Sequence, residues 1–138
     1  EDTRIVIMRS VEWLPTIIAA LSAFILGGLW YSPLLFAKAW QRDTGLSDEQ
    51  LNAANKGKIF GLRFILCLIA AIAFSMVIGP DGTFWFDLHS GVGIGLFWVA
   101  TSFGVNYLFE LKSLKLWLIN AGYHTLQFSL YGLIFGLM

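Results

Sequence analysis

The chain has 138 residues, of which 57% are hydrophobic and only 13% are charged, and its formal net charge is zero. This composition excludes an ordinary soluble domain and favours a single integral-membrane domain, while the balanced charge argues against a nucleic-acid partner. The single cysteine excludes an intrachain disulfide.

Four apolar runs, each about as long as a helix that spans a bilayer, occupy residues 14–37, 59–79, 88–109 and 116–138. They predict an all-α integral membrane protein, a four-transmembrane-helix bundle, with one domain over residues 13–138. Residues 1–12 are interpreted as an N-terminal extension. Met8 is a candidate start, in which case residues 1–7 are an expression remnant. Pro33 predicts a kink or an early exit near the end of the first helix.

The connection over residues 38–58 is the only sizeable polar segment of the chain. Ser47 and Gln50 have the spacing of a capping box, and Leu46 and Leu51 occupy the positions of a hydrophobic staple. We therefore predict a short interfacial helix over residues 48–55, lying on the membrane surface.

A tight turn is predicted at residues 79–82, where glycine, proline, aspartate and glycine follow one another. The aromatic residues 84–86 come next, a composition typical of a membrane interface. Asp87 is a candidate cap for the helix that follows.

Lysine and arginine are concentrated in the first and third connections, whereas the second has none. The positive-inside rule therefore predicts that the loop over residues 38–58 is cytoplasmic and that both termini lie outside.

A polar stripe runs along the fourth apolar run. Asn120, His124, Gln127 and Tyr131 follow one another in steps of four, three and four residues, so they share an arc about 60° wide on a helix. Because such groups cannot face lipid at low cost, the stripe must face other helices or an internal cavity.

The other runs carry polar residues at a matching depth. The predicted cavity is open to the cytoplasm, has His124 at its floor, and has one wall closed by an Arg63–Glu110 pair. The predicted cavity residues are Tyr31, Arg63, Ser102, Asn106, Glu110, Asn120, His124, Gln127 and Tyr131.

Small residues form a second non-lipid face on the fourth helix. This seam consists of Gly122, Ser129, Gly132 and Gly136. Small residues allow close approach of another helix, so the seam predicts either packing within the bundle or a two-fold homodimer.

Five short motifs stand in order along the chain: GLWYSPLLF at 28–36, TGLS at 44–47, KIFG at 58–61, GVNYLFE at 104–110 and NAGYH at 120–124. Together they resemble the domain-of-unknown-function family 1761, a group of small bacterial membrane proteins. The resemblance covers nearly the whole chain from about Trp13. It implies a bacterial inner-membrane protein with four helices, and it supplies no activity, cofactor or catalytic residue.

Two functions follow from these patterns. In the first, the cytoplasmic-side cavity binds or passes a small amphiphile or solute. In the second, the polar stripe and the seam serve only helix packing and homodimerisation, with the lipid bilayer as the other partner. An enzyme is disfavoured because no nucleophile and base converge, and we predict neither a cofactor nor a metal site.

Overall fold

A computed structural model describes residues 11–138, which form helices and turns without a strand. The helices are α1 (Trp13–Trp30), α2 (Ala37–Thr44), α3 (Asp48–Ala53), α4 (Lys56–Ile78), α5 (Phe84–Gly93), α6 (Ala100–Phe109) and α7 (Leu114–Leu137). A π-helical segment, Ile94–Val99, joins α5 to α6, so that Phe84–Phe109 is one continuous helix. The predicted all-α fold is confirmed.

Three helices among the described residues are long and apolar enough to cross a membrane: α1, α4 and the continuous helix from α5 to α6. Helix α7 has 24 residues, the length of a span, but it does not reach the same hydropathy. The reason lies in its own sequence, since Asn120, His124 and Gln127 occupy its middle.

Helix α7 lies at the centre of the fold and packs against α5, the π-helical segment, α6 and α1. Helix α4 packs mainly against α1. The core between α1, α4 and α7 combines small residues of α1 with aromatic residues of its partners. It consists of Ala19, Ala20, Ala23, Cys67, Ala71, Phe74, Ile78, Tyr131 and Phe135.

Helix α1 ends at Trp30, well before the predicted end at residue 37. The chain leaves the helix just before Pro33, as expected for a residue that lacks an amide hydrogen. It folds back so that the ring centroids of Trp30 and Phe36 lie 4.6 Å apart. A helix that the sequence analysis did not predict, α2, then runs to Thr44 and ends at Gly45, where φ is +77°.

The predicted capping box forms at the start of α3. The Ser47 hydroxyl accepts a hydrogen bond from the Gln50 amide at 3.1 Å, and the Gln50 side chain accepts one from the Ser47 amide at 2.8 Å. The helix ends at Ala53 and not at residue 55, because Asn55 instead caps α4 by accepting from the Lys58 amide at 3.0 Å.

The π-helical segment changes which side of the third span faces the bundle. The Ala100 amide donates to the Gly95 carbonyl, five residues back. Each extra residue in a turn rotates the following helix by about 100°. Gly91 and Gly95 therefore face α7, but beyond them Ala100 is buried and Trp98 is 68% exposed.

A candidate polar site along helix α7

Asn120 links three helices. Its carboxamide oxygen accepts a hydrogen bond of 2.6 Å from the Tyr31 hydroxyl, which lies at the end of α1. Its amide nitrogen donates to the Tyr107 hydroxyl of α6, also at 2.6 Å. Asn120 is buried, so both polar ends of one side chain are satisfied between α1 and α6.

The three other stripe residues form a hydrogen-bonded chain that ends on α4. His124 Nδ1 lies 2.8 Å from Gln127 Oε1. The Gln127 amide nitrogen donates to the Tyr131 hydroxyl at 2.9 Å, and that hydroxyl donates to the Cys67 carbonyl at 2.8 Å. Since Gln127 presents its oxygen to the ring, Nδ1 carries the proton, and in the neutral form of the imidazole Nε2 has a free lone pair.

Arg63 of α4 lies against α1 and not against a carboxylate. Its guanidinium donates to the Phe24 carbonyl at 2.9 Å and lies 4.7 Å from the centroid of the Phe24 ring. It also approaches the Tyr123 hydroxyl at 3.5 Å, which in turn donates to the Ala23 carbonyl at 2.9 Å. A side chain at Gly27 would occupy the position of the guanidinium, so this glycine makes the contact possible.

Three predicted cavity residues do not join this network. Ser102, Asn106 and Glu110 are all exposed. The rotation introduced by the π-helical segment turns them outward and turns Phe103 and Tyr107 inward. The predicted Arg63–Glu110 wall is therefore wrong, and among residues 11–138 the ion pair that forms is Arg42–Asp43 on α2.

Two tyrosines in the site were missed by the sequence analysis. The predicted cavity residues include neither Tyr107 nor Tyr123, although both hydroxyls lie in the network. The usable signal was their hydroxyl, because a buried tyrosine hydroxyl inside an apolar span requires a hydrogen-bond partner.

The stripe histidine lies beside an aromatic ring. The His124 imidazole stacks on Phe103 with centroids 4.9 Å apart and an interplanar angle of 17°. His124 is half-buried, and its Nε2 makes no hydrogen bond with residues 11–138.

The seam of small residues is used largely within the chain. A methyl group on Gly132 would lie 2.9 Å from Leu88 Cα, and one on Gly136 would lie 3.0 Å from the Phe84 ring. Both glycines therefore let α7 approach α5 closely. The Ser129 hydroxyl donates to the Thr125 carbonyl of its own helix at 2.7 Å.

The surface of the described residues has two grooves. An open one of about 410 Å³ is lined by Lys38, Gln41, Arg42, Gly45 and Leu46. The other, of about 330 Å³, is apolar and is lined by Trp30, Leu96, Ala100, Trp117, Leu118, Ala121, Gly122, Thr125 and Leu126. Both indole nitrogens of the apolar groove donate to backbone carbonyls, Trp30 to Ile119 at 2.8 Å and Trp117 to Ala100 at 2.9 Å.

The start of α5 also differs from expectation. Thr83, and not Asp87, caps this helix by accepting from the Phe86 amide at 3.2 Å. Asp87 lies one turn further on and is buried.

A family model with the description "Protein of unknown function (DUF1761)" matches residues 14–136. The chain belongs to this family. This DUF1761 chain matches no curated protein and no solved structure. Its site can therefore be interpreted only through its own geometry.

The chemistry of the DUF1761 site is that of hydrogen bonding. No group of three or more histidine, cysteine or carboxylate side chains within residues 11–138 is placed to hold a metal ion. Its polar atoms join α1, α4, α6 and α7.

Proposed function

We propose that this DUF1761 protein is a structural or interaction protein of the bacterial inner membrane. In this proposal α7 is the fourth transmembrane helix, the loop over residues 38–58 is cytoplasmic and both termini lie outside. The polar stripe of α7 fixes the helices in one arrangement. The supporting observation is that all four stripe side chains are hydrogen-bonded to partners within the chain.

The physical environment explains why such a stripe is useful. Apolar surfaces alone give membrane helices little reason to associate, because lipid tails are as apolar as leucine. Interhelical hydrogen bonds contribute about 0.6 to 2 kcal/mol each. Asn120 connects α7 to α1 and α6, and Tyr131 connects α7 to α4, so the stripe supplies one bond to each of these three helices.

Only part of the small-residue seam of α7 remains free for contact with a second copy of the chain. Gly132 and Gly136 already contact α5, whereas Gly122 borders the apolar groove. A two-fold contact along α7 would therefore use that groove.

The proposal is tested by comparing Asn120→Ala with Asn106→Ala. The two substitutions remove the same carboxamide, one from the network and one from the exposed face of α6. We expect Asn120→Ala to reduce the free energy of unfolding in a bilayer by about 1 to 3 kcal/mol, and Asn106→Ala to leave it unchanged. Equal stability of the two variants would contradict the structural role.

A second function, binding of a small amphiphile or solute, is favoured by the geometry of His124. Its Nε2 has a lone pair that is not used within residues 11–138, and the stacked Phe103 ring adds an apolar surface. A ligand with a hydroxyl or an N–H group would match this pair of contacts.

Native mass spectrometry of the protein released from membranes separates the two functions, because it reports the number of subunits and any retained small molecule. If His124→Ala unfolds like the parent protein but loses a retained compound, the site binds that compound. If His124→Ala is destabilised and no compound was present, the packing role is supported.

A further inference from the structure

The side chain of Asp87 is buried, and one of its carboxylate oxygens has no partner among the described residues. Asp87 lies in the first turn of α5 and is 3% exposed. Its Oδ1 atom has no hydrogen-bond partner among residues 11–138. A buried carboxylate that lacks a partner is strongly disfavoured in its charged form, so such a group normally binds a proton or a cation.

Two glycines allow the Asp87 carboxyl group to be buried. A side chain on Gly82, in the turn between α4 and α5, would collide with the Asp87 carboxyl group. A side chain on Gly132 of α7 would collide with the Asp87 backbone carbonyl. The carboxyl group is therefore covered by the turn on one side, while close packing on α7 fixes the backbone that carries it.

Among residues 11–138, the charged group recorded beside Asp87 has the same sign as its own carboxylate. Glu12 approaches from the start of α1, where its amide donates to the Ser75 hydroxyl of α4 at 2.9 Å. Asp81, in the turn, lies close enough to Glu12 to act on its charge. Burial raises the pKa of Glu12, and the charges of Asp87 and Asp81 raise it further. Helix α7 contributes Gly132 to the contact with Asp87, so within residues 11–138 these elements supply no cation here.

The end of the helix does not stabilise the charge either. The Phe86 amide donates to the Thr83 hydroxyl, and the Asp87 amide donates to the Thr83 carbonyl at 2.9 Å. These donors of the first turn are thus occupied, and none of them donates to Oδ1.

We propose that Asp87 is a proton-binding site and carries a proton at neutral pH, beneath the turn that joins α4 and α5. This site lies at the end of the bundle opposite the α2–α3 connection and is separate from the α7 stripe. Release of the proton leaves a charged carboxylate beneath Gly82, which favours movement of the turn away from α5.

The proton can be observed directly by infrared spectroscopy of the full chain in lipid nanodiscs. The carbonyl band of a protonated carboxylic acid should be present at pH 7 and absent in Asp87→Asn. It should persist in the double variant Glu12→Gln/Asp81→Asn, which removes the neighbouring carboxyl groups. Gly82→Ala should abolish the band by displacing the carboxyl group into water.

Stability provides an independent measurement. A group that keeps its proton in the folded state makes stability fall as pH rises above about 4, where an unfolded aspartate ionises. In the double variant the unfolding constant should therefore rise up to tenfold per pH unit, as expected for one proton. Adding Asp87→Asn should remove this dependence.

Several results would overturn the proposal. One is the absence of the acid band at pH 7 in the double variant, a measurement that does not require Asp87→Asn to fold. Another is a band that remains unchanged in Asp87→Asn. Stabilisation by sodium over potassium chloride at constant pH, lost in Asp87→Asn, would assign the site to a metal cation instead.

Discussion

At the scale of single residues, close backbone contact makes specific glycines indispensable. Gly132 lies against the backbone of Asp87 and Leu88, whereas Gly61 of α4 has open space around it. We predict that Gly132→Ala destabilises the protein by about 1 to 3 kcal/mol, because backbone atoms cannot move aside easily. Gly61→Ala, the matched control, should stabilise the helix by up to about 1 kcal/mol. Unfolding of both variants in the same lipid measures the difference.

A second prediction concerns the contact that attaches α2 to the turn before α7. The Ser113 hydroxyl donates to Asp43 at 2.7 Å, and this bond, with a smaller effect from Arg42, lowers the pKa of Asp43. Because the pKa of Asp43 is lower in the folded state, ionised Asp43 stabilises the fold at pH values above its unfolded-state pKa of about 4. This contribution to stability is lost as the pH falls through the folded-state pKa. Ser113→Ala should raise the pKa of Asp43, as measured by carboxyl NMR titration.

The control for this titration is Arg42→Gln, which should raise the pKa of Asp43 less. Ser113 also caps α7 by accepting from the Leu116 amide at 3.0 Å, so loss of stability in Ser113→Ala would not by itself identify the carboxylate. Asp43→Asn leaves the Ser113 cap intact, so this variant should lose only the pH-dependent part of the free energy of unfolding. An unchanged Asp43 pKa in Ser113→Ala would contradict the assignment.

The residues of the polar site could be predicted from the sequence where their positions depended on a single regular helix. The steps between Asn120, His124, Gln127 and Tyr131 place them on one face of α7, and depth matching connected Tyr31 to Asn120. Partners on α6 could not be predicted in this way, because a period of 3.6 residues assigns Asn106 where the structure has Tyr107. The hydroxyl requirement of Tyr107 and Tyr123 was the remaining usable signal.

At the scale of elements, the π-helical segment decides which residues of α6 reach α7. The carbonyls near it are partly satisfied by side chains, since the Thr101 hydroxyl donates to Phe97 at 2.6 Å and the Ser102 hydroxyl to Trp98 at 2.7 Å. These local hydrogen bonds produce no periodic pattern in the sequence. The face of the helix that packs against α7 beyond residue 94 could therefore not be predicted.

We predict that deletion of Leu96 converts this segment into ordinary α-helix while α6 keeps its orientation, because the deletion removes the one extra residue that the π-helical turn holds. Tyr107 would then stay hydrogen-bonded to Asn120. In a Cys67→Ser background, a cysteine at Asn106 should react rapidly with a membrane-permeant maleimide and one at Tyr107 slowly. The deletion should preserve this order. A reversed order would show that the segment does not set the register.

At the scale of the whole molecule, apolar length predicted four spans and an all-helical fold, because lipid imposes these features on any sequence. Three helices of residues 11–138 are long and apolar enough to cross a membrane. Helix α7 is not among them, since the polar stripe that makes it central also lowers its hydropathy. Packing around the stripe compensates for the cost of its polar side chains in an apolar environment. This packing forms only in the assembled fold, so it could not be predicted from the sequence of α7.

Topology distinguishes three spans from four. If α7 crosses the membrane, a cysteine at Gly45 should be labelled from the cytoplasmic side and one at Met138 from outside. The physical reasons are the lysine-rich connections and an even number of crossings. Labelling of both positions from the cytoplasmic side would show that α7 does not cross. An impermeant reagent applied to intact cells and to inverted vesicles makes the measurement.

The central position of α7 has a consequence for biogenesis. A ribosome makes α1 first, yet the Tyr31–Asn120 and Tyr123–Ala23 bonds join positions 89 and 100 residues apart. Helices α1, α4 and α5 therefore enter the bilayer before the element that organises them has been translated. Interruption of synthesis before α7 would leave three inserted but poorly associated helices, with Arg63 deprived of Tyr123, a natural substrate for membrane quality control.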